Sequence, residues 1–126
     1  MPCDYQIDLK NRVVRCRAWG IFTHPEATAT RNQFTKDPAF SADFSQMYDF
    51  TGVERIDMTG DQIRALGGYS PFASGAKRAA IAPETAIFGA LRMFAIQHGA
   101  GGGQTNIQVF RSLNDAEAWL GLGSPR

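Results

Sequence analysis

Tyr5, Ile7 and Leu9 alternate with Gln6, Asp8 and Lys10, and this two-residue period predicts a strand with one buried face. Asn11-Arg12 makes a tight turn, after which a β-rich run from Val13 through Trp19 to Ile21 and Phe22 completes an opening hairpin. Gly20 marks a bulge or the end of regular pairing. Thr23-His24-Pro25-Glu26 then reads as a helix start, with proline near the first helical position and a glutamate favourably placed against the helix dipole. The helix predicted over 25–36 turns Ala27, Thr30 and Phe34 inward. Asp37-Pro38 interrupts it, because proline disfavours helical geometry in the residue before it. Phe40 and Phe44 anchor the connection that follows.

The stretch over 44–66 passes from strand to helix through a turn. Met47-Tyr48-Asp49-Phe50 predicts a short central strand closed by Thr51-Gly52, with Val53 and Ile56 anchoring a loop. Thr59-Gly60-Asp61-Gln62 matches a capping box, in which the threonine hydroxyl and the glutamine side chain exchange hydrogen bonds with each other's backbone. Ile63, Ala65 and Leu66 face the core before Gly67-Gly68 ends the helix.

After a turn-rich connection over 69–75, Lys77 to Ala82 predicts another strand, stopped by Pro83. The helix over 84–98 carries Ile87, Leu91, Phe94 and His98 at spacings of three or four, with Phe88, Met93 and Ile96 around the rest of its surface. Ile107-Gln108-Val109-Phe110 supplies the last strand. Ser112 opens the last helix, Ala116, Trp119 and Leu120 give it a buried stripe, and Gly121 stops it. The order β-β-α-β-α-β-α-β-α predicts one α/β domain over 1–126. Its sheet is mixed and mostly parallel, of about five strands with four helices.

Composition narrows the class of partner. The 126 residues, 44% hydrophobic and 20% charged, suit an ordinary globular domain. Thirteen basic against twelve acidic side chains leave a charge of +1, so no global field draws the chain to nucleic acid or an anionic membrane. No run of about eighteen apolar residues predicts a membrane span. Cys3 and Cys16 belong to no C-x-x-C pair, which favours reduced thiols and a cytoplasmic setting.

Candidate chemistry is sparse. The glycine run over 99–103 leaves a helix and enters a strand, the reverse of a phosphate loop, and reads as a helix-ending linker. His24 and His98 sit apart, and His98 near a helix C-terminus has a sufficient structural role. Asp57 and Asp61 flank Thr59 as carboxylates at a helix start more often do, as caps rather than as an acid/base pair. No catalysis, cofactor or metal is expected.

The segments Asp49-Phe50-Thr51-Gly52-Val53 and Ile56-Asp57-Met58-Thr59-Gly60 resemble the strand-loop-helix signature of STAS domains, the anti-sigma-factor antagonists. The whole chain is similar to the SpoIIAA-like, STAS/SEC14-related group of small uncharacterised bacterial proteins. The similarity runs through Asp37-Pro38-Ala39-Phe40, Arg92-Met93-Phe94, Val109-Phe110-Arg111 and residues 116–120. The resemblance implies a SpoIIAA-like fold and a non-enzymatic regulatory domain acting through an unidentified protein partner and through self-association as a homodimer. It implies a phosphorylation or partner site at Thr59, with Asp57 and Gly60 beside it, although Asp61-Gln62 replaces the apolar continuation after the glycine. The SEC14-like side of the resemblance implies the alternative, a small apolar-ligand or lipid-binding module. Phe72, Phe88, Met93 and Ile96 then form either the ligand surface or a dimer interface.

Overall fold

A computed structural model of the protein describes residues 3–67, 71–73, 75–100 and 106–122, with only the backbone described for 96–100. In chain order the elements are β1 (Cys3–Asp8), β2 (Val13–Thr23), α1 (His24–Thr35), β3 (Ser45–Asp57), α2 (Gly60–Gly67), β4 (Lys77–Ile81), α3 (Thr85–Ala100), β5 (Asn106–Phe110) and α4 (Leu113–Leu120). The strands lie in the order β1-β2-β3-β4-β5, with β1 antiparallel to β2 and every later pair parallel. The mixed five-stranded sheet and four helices expected from the hydrophobic pattern are therefore present.

Strand order dictates where the helices go. Each parallel step moves to the next strand in the same direction, so right-handed crossovers put all three connecting helices on one face. Ala27 of α1, Ile63 of α2 and Leu91 of α3 do border the same space above the sheet. The terminal helix α4 makes no crossover, and it covers the opposite face, where Ala116 packs with Val13, Met47, Ala79 and Ile81. Its ends are well specified: Ser112 Oγ accepts from the Asp115 amide, and Gly121 adopts a left-handed φ of 78°.

The expected short strand at Met47–Phe50 is corrected to a 13-residue strand that includes Val53 and Ile56. The reason lies in its neighbours. Only Gln46 to Asp49 of β3 pair with β4, whereas pairing with β2 continues to Thr23 opposite Asp57. The distal half is thus a two-stranded extension, which tolerates the polar Glu54 and Arg55 that resemble loop residues. Register shifts between Arg17 and Trp19 and between Gly20 and Ile21 fit two extra residues of β3 against β2. Gly20 takes φ 67° there, and Gly52 lets β3 pass Trp19, whose Cβ would stand 3.0 Å from an added Cβ. Two smaller expectations also change: Leu9 is exposed in the hairpin turn, and Ala65 faces solvent rather than the core.

Candidate functional site

A cavity of about 140 Å³ lies between the sheet and helices α1, α2 and α3. Small side chains on three sides leave this space open: Ala80 on β4, Ala27 on α1 and Ala90 on α3. The fourth cause is α2, which packs chiefly against α1. Its half-buried Ile63 and Leu66 roof the space instead of joining the packed clusters of the core. Aromatic rings form the walls. Phe22 meets Phe50 edge-on with centroids 5.1 Å apart, Tyr48 stands 4.7 Å from Phe50, and Phe34 packs 5.8 Å from Phe72.

One polar chain crosses this apolar floor. Gln46 and Arg78 are register partners on β3 and β4. Arg78 Nε donates to Gln46 Oε1 at 2.9 Å, while Gln46 Nε2 donates to Cys16 Sγ at 3.6 Å. Phe72 lies under the guanidinium, 5.1 Å from ring centroid to Cζ. Burial, with a smaller contribution from the nearby charge of Arg31, lowers the Arg78 pKa from 12.5 to about 10. That change corresponds to roughly 3 kcal/mol against the charged form. Arg78 as a residue is half-buried. Arg31 reaches the same space from α1, and its Nη1 donates to the Leu66 carbonyl at 3.5 Å.

The groups near Arg78 that could carry negative charge are held protonated. Burial pushes the Cys16 thiol up to about 12, and it raises the Tyr48 phenol well above its ordinary value. Tyr48 Oη also lies 3.0 Å from Cys3 Sγ. No aspartate or glutamate is among the described residues lining the cavity.

The expected site residues separate in space. Thr59 caps α2 as its sequence implies: its Oγ1 accepts from the Gln62 amide at 3.1 Å, and Gln62 Oε1 accepts from the Thr59 amide at 3.0 Å. Thr59, Asp57 and Gly60 are all exposed, and Asp57 lies 3.8 Å from Arg55. Of the four apolar residues, Phe72 is buried in the cavity wall. Phe88 is half-buried beneath the Arg111 guanidinium, 4.3 Å from its ring centroid, while Met93 points to solvent at 60% exposure. The Ile96 and His98 side chains, and residues 101–103 of the glycine run, lie outside what is described. His24 stands half-buried at the start of α1.

The Gln46, Arg78 and Arg31 set was missed by sequence reasoning. No short-range signal marked it: Arg17 of β2, likewise paired on both sides, is exposed, so an arginine within a strand does not by itself reveal which face it takes.

The chain is thus an α/β fold with three helices on one sheet face bordering an apolar pocket, and a single helix on the other. It is similar in structure to a DUF3478-family protein with a SpoIIAA-like fold from Shewanella loihica PV-4, with a TM-score of 0.58 and 17% identity over 86% of this chain and 83% of that one. The SpoIIAA-like architecture expected from the sequence is thus found in the structure. No protein-family model matches the sequence, and no curated protein matches it. Among the described residues, no helix is long and apolar enough to cross a membrane.

Proposed function

We propose that this domain is a binding module that encloses a small apolar ligand between the sheet and helices α1 to α3. The carrying observation is the 140 Å³ cavity itself, whose walls are mostly aromatic and aliphatic. A cavity of about 150 Å³ lined by similar side chains is large enough to hold a benzene-sized molecule. The space inside therefore suits one ring or a short chain. Binding rather than turnover is supported by nearby Cys16 and Tyr48, whose pKa values burial raises, the opposite of the lowering that activates a nucleophile.

The test is thermal unfolding in the presence of toluene and 4-methylbenzyl alcohol. A ligand that binds only the folded state raises the midpoint with concentration. Midpoints that stay fixed up to the solubility limit of both compounds contradict the reading.

A second reading, a protein partner at the start of α2, draws on the exposure of Thr59 beside Asp57 and Gly60. Phosphorylation there would add nearly two negative charges at a helix N-terminus, where free amides and the dipole favour an anion. Intact-mass measurement of the protein purified from its native host distinguishes the two: a phosphorylated species supports the partner reading, and an unmodified mass in every growth phase opposes it.

A further inference from the structure

We infer that the cavity selects a small apolar anion, a carboxylate on a ring or short chain, with its oxygens on the free edge of the Arg78 guanidinium and its apolar body among Phe22, Tyr48, Phe50 and Ala80. This rests on the reading of the cavity as a ligand site and adds the charge of the ligand. The Arg78 Nε is committed to Gln46, and the Phe72 ring lies 5.1 Å from its Cζ. Its two Nη groups have no hydrogen bond or ion pair among the described residues. The fork they form matches a carboxylate.

Two further observations point to an anion rather than to a purely structural arginine. A buried cation is costly unless paired, and retained ones generally meet an opposite charge. Here the described cavity lining supplies none, because its only charged members are Arg31 and Arg78. The neighbouring Cys16 and Tyr48, which could in principle compensate, are themselves pushed toward their neutral forms. An incoming carboxylate supplies the missing charge. The space beside Arg78 suits an apolar body of about one ring.

The experiment compares 4-methylbenzoate with 4-methylbenzyl alcohol, a near-isosteric neutral partner, by calorimetric titration of the full chain at pH 7.5. Wild type is expected to bind the acid at least about tenfold more tightly, the ratio expected of a charge-assisted hydrogen-bonded pair. Arg78→Met should reduce that ratio to near one, and Arg78→Lys should restore part of it. Equal wild-type affinities for acid and alcohol overturn the anion inference and leave the cavity reading standing. Failure of both compounds to bind overturns both. Because the comparison within wild type does not depend on any variant, it decides the inference even if Arg78→Met does not fold.

Discussion

Ala80→Phe is the perturbation that most directly asks whether the space above the sheet is real. Ala80 is the register partner of Tyr48 on β3 and of Val109 on β5, and all three line the cavity. A phenyl group grown from this floor position enters the 140 Å³ space, which is large enough for a ring. Removing about 100 Å² of apolar surface from water contributes about 2.5 kcal/mol at 25 cal/mol per Å². Fixing the side chain costs on the order of 1 kcal/mol, and unfolded-state burial reduces the gain by roughly 10–40%. The expected change is therefore about 0.5–1.3 kcal/mol of added stability. In a closed, fully packed core the same substitution would cost about 1–3 kcal/mol. The two cases thus differ in sign. Urea unfolding followed by far-ultraviolet circular dichroism reads the difference as a shift in midpoint at constant slope. A loss of 2 kcal/mol or more would refute the cavity as described.

Other expectations follow from the cap and the buried thiol. Thr59→Ala should cost about 1 kcal/mol in urea unfolding because it removes the acceptor for the Gln62 amide, while Thr59→Asp, which also caps, should be nearly neutral. If Thr59→Asp proves as costly as Thr59→Ala, capping is not the main structural role of this residue. For Cys16 the folded pKa is raised from 9.0 to about 12. Its contribution to stability is thus complete below pH 9 and is lost as pH rises through about 12. At pH 10 the unfolded thiol is mostly ionised and the folded one is not, a difference of about 1.4 kcal/mol. Wild type should accordingly lose that much more stability than Cys16→Ala between pH 8 and pH 10, and parallel pH profiles would contradict the assignment. Iodoacetamide should leave native Cys16 unmodified at pH 8 and alkylate it in urea, with modification mapped by peptide mass.

Local patterns carried much of the fold. Alternation over Tyr5 to Ile7, the capping box at Thr59 and Gln62, and the Ser112 and Gly121 boundaries of α4 are each decided by residues within a few positions, so they were legible in the sequence. The length of β3 was not. Thr51, Gly52, Glu54 and Arg55 look like a loop because nothing local reveals that β2 alone continues beside them. Glu117, buried at 8% exposure, likewise follows from where α4 docks rather than from its own chemistry. The cavity was the least legible feature. It is produced by Ala27, Ala80 and Ala90 arriving at one place from three elements, and by α2 leaning on α1. Phe72 was singled out from its apolar character, but its partners Gln46 and Arg78 come from neighbouring strands whose pairing no short-range pattern reveals.

The methionines supply a direct test of the central claim that the space between the sheet and α1 to α3 is a ligand site. Met58 lines the cavity, Met47 is buried on the opposite sheet face with α4, and Met93 is exposed on α3. In a titration of methyl-labelled protein with 4-methylbenzyl alcohol followed by carbon–proton correlation spectra, the Met58 signal should move saturably while those of Met47 and Met93 stay in place. Movement of Met93 alone, or of none of the three, would contradict the account.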